Sequence, residues 1–160
     1  MATPTYTPLA STTLSSSASS VTFSSIPQTY GDLILTWDVD ISATTGQIIL
    51  RFSGDTGANY SRVQMRGDGS AAASFAADGA TQLFAYSSPY DKFWGNIQIM
   101  DYSATDKHKT GLIRNDNVGE FTVALASRWA NTSAVTSIEV FTDGETYLAG
   151  STFSLYGVAK

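Results

Sequence analysis

From Val21 onward apolar and polar positions alternate with a period of two. In GDLILTWDV, residues 31–39, Leu33, Leu35, Trp37 and Val39 fall on one side and Ile34, Thr36 and Asp38 on the other, as a half-buried strand requires. Comparable short runs are Val21–Phe23, QIILRF (47–52), YSRVQMR (60–66), TQLFAY (81–86), NIQIMDY (96–102), KTGLIR (109–114), EFTVALASRW (120–129), VTSIEVF (135–141) and STFSLYGV (151–158). Gly, Asp and Asn separate them, so the pattern predicts short strands joined by tight turns. No stretch carries an i, i+3, i+4, i+7 apolar stripe. GSAAASFAADGA (69–80) is Ala-rich but has Gly near both ends, and at most one helical turn is expected there.

Many short strands without alternating helices predict an all-β protein, an antiparallel β-sandwich. Ten runs over residues 21–160 suit a jelly-roll-like arrangement better than a seven-stranded immunoglobulin-like one. Residues 1–20, MATPTYTPLASTTLSSSASS, hold two prolines, no charged side chain and little apolar content. They are expected to form a flexible, extended N-terminal arm ahead of a single domain at 21–160, free at the terminus or ordered by lying on a neighbouring subunit.

Composition narrows the function. Charged residues are only 14% of the chain, against roughly 25% in a typical soluble domain, so hydroxyls and small side chains must cover much of the surface. The net charge of -5 argues against a nucleic-acid partner, because phosphate contacts require clustered Lys and Arg. The first basic residue is Arg51, so a secretory n-region is not expected, and no apolar run is long enough for a membrane helix. The absence of cysteine excludes disulfides, thiolate metal sites and cysteine nucleophiles.

Candidate chemistry is sparse. His108, the only histidine, sits in the polar turn SATDKHKTG between Lys107 and Lys109, without a strained nucleophile motif such as G-x-S-x-G, and is read as a solvated loop residue. Asp38 and Asp40 project from one face of a strand end, about 7 Å apart and near the inverting-glycosidase range. Their place at the entry to the turn ISATTG makes them solvent-facing acids. In RFSGDTGANYSRV (51–63), Asp55, Asn59 and backbone carbonyls offer some oxygen ligands, but one carboxylate does not complete a calcium set. Gly54, Asp55, Gly57 and Asn59 are also turn formers, and a hairpin turn is the preferred reading. RGDGS (66–70) contains an adhesion tripeptide, yet Asp68-Gly69 after a strand predicts a hairpin. No catalytic residue, metal site or cofactor is expected. Aromatics cluster in YSSPYDKFWGN (86–96), a loop-like segment in which Tyr86, Tyr90, Phe93 and Trp94 suit loop or core packing, a protein interface or stacking on a sugar. Trp37 and Trp129 lie within or beside alternating strands and are read as core.

Several stretches, in this order, resemble a family of small virion structural proteins from tailed phages, particularly those infecting cyanobacteria. They are VTFSSIPQTYGDLIL (21–35), LRFSGDTGANYS (50–61), IQIMDYSATDKHKTGLIR (97–114), WANTSAVTSIEVF (129–141) and GSTFSLYGV (150–158), somewhat under half of the chain. The resemblance implies a β-sandwich that decorates or cements a capsid by binding the major capsid protein or another virion protein. A receptor- or glycan-binding module of a tail or head fibre is the other role it implies. It further implies location in the virion, assembly as a homo-trimer and no reaction of its own. Residues 75–95 match nothing in that family, and no catalytic residues carry over.

Overall fold

Among the described residues the chain forms twelve strands, ten of them where apolar and polar positions alternate. The computed structural model describes residues 4–42, 46–88, 92–117 and 122–160. Its strands are β1 (Tyr6–Thr13), β2 (Ser20–Phe23), β3 (Asp32–Asp40), β4 (Gly46–Phe52), β5 (Tyr60–Gly67), β6 (Ala72–Ala80), β7 (Leu83–Ser88), β8 (Lys92–Met100), β9 (Lys109–Asn117), β10 (Thr122–Trp129), β11 (Ile138–Phe141) and β12 (Thr152–Val158). No helix occurs among the described residues. The protein is an all-β antiparallel sandwich of two unequal sheets. One has eight strands in the order β1-β12-β3-β8-β9-β10-β5-β6, and the other has four in the order β2-β11-β4-β7. An eight-against-four division differs from the balanced pair of sheets that a jelly roll implies.

Each of the ten alternating runs contributes to a strand, and the two remaining strands correct the reading. Tyr6–Thr13, expected within a flexible arm over 1–20, pair with β12 in register from Tyr6–Val158 to Thr13–Thr152. The segment buries little, but backbone pairing satisfies its polar groups, Ser11 Oγ meets Ser154 Oγ at 2.8 Å, and Leu9 and Leu14 lean on the core. The Ala-rich stretch forms β6 instead of a helical turn. It pairs with β5 after Asp68 and Gly69 reverse the chain, with Gly69 at φ 87°. Asp68 accepts from Ser70 N and Ala71 N at 2.8 and 2.7 Å, which confirms the hairpin read from RGDGS.

The core lies between the sheets. From the large sheet come Leu33, Leu35, Trp37 and Val39 of β3, Ile97 and Ile99 of β8, Val123, Leu125 and Trp129 of β10, and Phe153 and Leu155 of β12. From the small sheet come Phe23, Ile48, Leu50, Leu83, Ile138 and Val140. Full burial of each such side chain stabilises by about 1.5–3 kcal/mol. Trp37 and Trp129 are core, as their pattern predicted. The small sheet ends at β7, and the large one runs past it through β5 to β6, whose residues from Ala72 to Gly79 are all exposed.

Candidate interaction surface

Strand β8 settles the position of two of the four aromatics singled out in the sequence. Phe93 shares the inner face with Ile97 and Ile99, is fully buried, and fills the space left by Gly46. It therefore contacts no partner, which corrects its reading as a contact residue. The segment is not a loop on either flank, since β7 reaches Ser88 and β8 starts at Lys92. Trp94 points to the opposite face and stays 43% exposed. Tyr86 lies on β7, its backbone opposite Ile48, while Tyr90 falls outside the described residues.

Around Trp94 the register sets a polar frame. Trp94 stands directly opposite Asp38 of β3 on one side and Asp116 of β9 on the other. Asn96, next on the same face, stands opposite Thr36 and Arg114. An exposed indole edged by oxygen acceptors and amide or guanidinium donors can stack on a sugar ring while bonding its hydroxyls. Asp40, two positions from Asp38, is paired with Lys92 at 3.1 Å. The two acids therefore do not form the free carboxylate pair that glycoside hydrolysis requires.

Strand β5 alternates as predicted, and its apolar residues Val63 and Met65 face outward. Arg62, Gln64 and Arg66 lie on the core side, opposite Ser127, Leu125 and Val123 of β10, while Val63 and Met65 face outward, 55% and 62% exposed. Arg62 reaches the small sheet, donating from Nη1 to Phe84 O at 2.7 Å with its guanidinium over the Phe84 ring. Arg66 lies over Phe75 at 4.7 Å. Arginine stems thus line the overhang that the small sheet does not reach. On the outer face the cross-strand row Ile34, Gln98, Leu112, Ala126, Val63, Ala76 runs beside the row Thr36, Asn96, Arg114, Ala124, Met65, Ser74. Leu112 is 52% exposed. A groove of about 440 Å³ between Val63, Met65, Leu112, Ala124 and Ala126, bordered by Gln98 and Arg114, completes a largely apolar surface.

The loop after β4 contains a tight turn but is not the hairpin expected from its residues, because β4 and β5 belong to different sheets and the loop carries the chain from one to the other. Asp55 N donates to Phe52 O at 3.0 Å, with Ser53 and Gly54 at φ 51° and 70°, the signs a type I′ turn requires. The Asp55 carboxylate then collects protein donors: Gly57 N at 2.8 Å, Asn59 Nδ2 at 2.9 Å, Trp129 Nε1 at 2.7 Å and Asn131 Nδ2 at 3.4 Å. Burial alone would raise its pKa, but these donors outweigh burial and hold the carboxyl below its usual range. Tyr60 accepts from Phe52 N and donates to Asp55 O, both at 3.0 Å. Its phenol is pushed up to about 12, mainly by burial. Donors ring the carboxylate where a cation would need further oxygens, and no group of three or more His, Asp or Glu converges among the described residues.

Two charged residues near the β8–β9 turn complete the inventory. His108 is exposed, as its polar setting predicted. Lys109 is buried, and its Nζ donates to Lys107 O at 2.8 Å and Thr132 O at 3.2 Å. Burial pushes its pKa down, while Asp106 and Asp101 push back. Sequence reasoning missed this burial, because a Lys-His-Lys run signals solvent. It missed the outward apolar face too, because alternation in YSRVQMR does not say which side is buried.

No family model matches the chain, and no curated protein matches it. Among solved structures, a protein of unknown function from Shewanella oneidensis MR-1 aligns at 8% identity with a TM-score of 0.24. The alignment covers 84% of this chain, which spans 61% of the length of that one, and likeness at this level carries no argument about fold or function.

Proposed function

We propose that this chain is a non-enzymatic structural protein of a virion, a capsid decoration or cement protein that binds the major capsid protein between capsomers. The observation that supports this most is the outward apolar face of β5. A single exposed apolar side chain is ordinary, but Val63, Met65 and Leu112 on one flat face with Ala124 and Ala126 form the kind of patch that marks a docking surface. A broad sheet face suits a shell, where each contact is weak and many copies on a lattice give avidity.

The test uses particles prepared with and without the protein. Particles lacking it are expected to assemble and then rupture at lower temperature, whereas equal robustness would remove the reading. The double substitution Val63→Asp with Leu112→Asp is expected to leave the β-sheet circular dichroism unchanged and to weaken binding to undecorated particles by at least about a hundredfold, near 2.8 kcal/mol for two central contacts. A sedimentation assay of bound fraction against concentration checks it.

A second reading, a glycan-binding fibre module, is favoured by the frame of Asp38, Asp116 and Asn96 around Trp94. Under it, Trp94→Ala abolishes binding to host surface glycans on an array while the melting temperature stays within about 3 °C, since the indole is half exposed. An array blank for the unaltered protein removes this reading and leaves the first standing.

A further inference from the structure

We infer that β6 is a pairing edge for a second copy of this chain, the two β6 strands joining antiparallel about a twofold axis near Ala76 to continue the eight-stranded sheet across both subunits. The inference stands on the edge itself and does not depend on a virion role. An edge strand presents unpaired N–H and C=O groups, and proteins usually blunt it with proline, lysine, a bulge or brevity. The other edges here are blunted in this way. β1 carries Pro8 beside a register shift between Pro8 and Ala10, and β2 has four residues. On β7, the carbonyl of Phe84 is occupied by Arg62. β6 has nine residues, no proline and no lysine, and it is hydrogen-bonded to β5 on one side; its pairing is regular from Ala72 to Ala77 and shifts only near its end, between Ala77 and Ala80, where Gly79 has φ 64°.

The sequence of β6 also fits itself. With the axis at Ala76, Phe75 faces Ala77 of the second copy, setting a large side chain against a small one on the overhanging inner face. On the outer face Ser74 faces Asp78 of the second copy, a hydroxyl donor against a carboxylate. Asp78 is the only charge on the strand, and it already neighbours Arg128 at 3.8 Å. In this register the two Asp78 side chains lie about 14 Å apart along the strands, four residues at roughly 3.4 Å each. That exceeds a Debye length of about 8 Å at physiological salt, so their repulsion is screened. Pairing β6 with the β1 edge of another copy would meet Pro8, which lacks a donor, and would also propagate head-to-tail without closing. Alanine is a poor strand former, so a β6 held from one side gains order from a second partner. The small sheet stops at β7 and leaves room for the approach.

The absence of native cysteine makes the test clean. Directly opposed residues of an antiparallel pair have Cα atoms about 4.5–5.5 Å apart, within the range that a disulfide bridges. Ala76→Cys in the full chain is therefore expected to form a linked dimer under mild oxidation roughly a hundredfold faster than Ser16→Cys, an exposed site away from the edge. That factor compares an effective concentration on the order of millimolar within a pair with ~10 µM in solution. The unaltered chain is expected to sediment as a dimer, and Ala76→Lys as a monomer with unchanged circular dichroism. Equal cross-linking rates, a monomeric unaltered chain at ~100 µM, a trimer that Ala76→Cys does not link, or a dimer that survives Ala76→Lys would each overturn the inference.

Discussion

Asp55→Ala is expected to lower the unfolding free energy by roughly 3–4 kcal/mol, read as a drop of about 10 °C in the melting temperature of this 160-residue chain. The loss has two parts. The charge-assisted bonds from Trp129, Asn59 and Gly57 disappear, and the Trp129 indole N–H, on a side chain only 1% exposed, is left without its acceptor. Asp55→Asn keeps the shape but presents an amide N–H₂ among donors, so it recovers little of the loss. The linkage sign follows from the lowered pKa. A carboxyl with a folded pKa below its unfolded value near 3.8 contributes stability that is present above the unfolded value and lost as pH falls through the folded one. The unaltered protein should therefore lose more stability on acidification below about pH 4 than Asp55→Ala does, and the two melting curves should converge there. Parallel pH profiles would show that the carboxylate is not what holds the turn to β10.

Gly95→Ala is expected to be nearly as damaging for the opposite reason, a lack of space. Gly95 lies on the inner face of β8 between Trp37 and Asn115. A Cβ there would sit 2.6 Å from the Arg114 carbonyl and 2.9 Å from Trp37 Cζ2, and would also collide with Asn115 Oδ1. The first of these neighbours is backbone, so β8 and β9 must part, at a cost of about 3 kcal/mol or more. Gly67→Ala is the control. A Cβ at Gly67 meets only Ala71 O at an ordinary 3.6 Å, and the change should stay within about 0.5 kcal/mol. If both variants unfold at the same denaturant concentration, close packing at Gly95 is not what the residue provides.

These two positions show how differently the sequence displayed its parts. The turn at Ser53 and Gly54 was legible because its residue types have few other uses, and the strands were legible wherever one face is buried, as in β3, β10 and β12. β1 was hidden because it is held by backbone pairing and hydroxyl contacts, with too few apolar residues to set up a period. β6 was hidden because alanine carries no strand signal, and its pairing comes from the hairpin at Asp68-Gly69. In β5 the period was legible, but which face is inner was not. Alternation says that two faces differ, and where the second sheet falls short, arginine stems can occupy the inner face while Val63 and Met65 face water. Phe93 and Trp94 posed a similar problem. Adjacent aromatics after a proline suggested a loop, whereas the strand simply sends one inward and the other outward.

The position of β12 has a temporal consequence. It lies between β1 and β3, so β1 has no neighbour in its sheet until residues 152–158 have been made. Contacts spanning nearly the whole chain are slow to form because the intervening loop must close before they are rewarded. During translation Tyr6–Thr13 must therefore wait unpaired until β12 follows, and the sheet closes on that edge last.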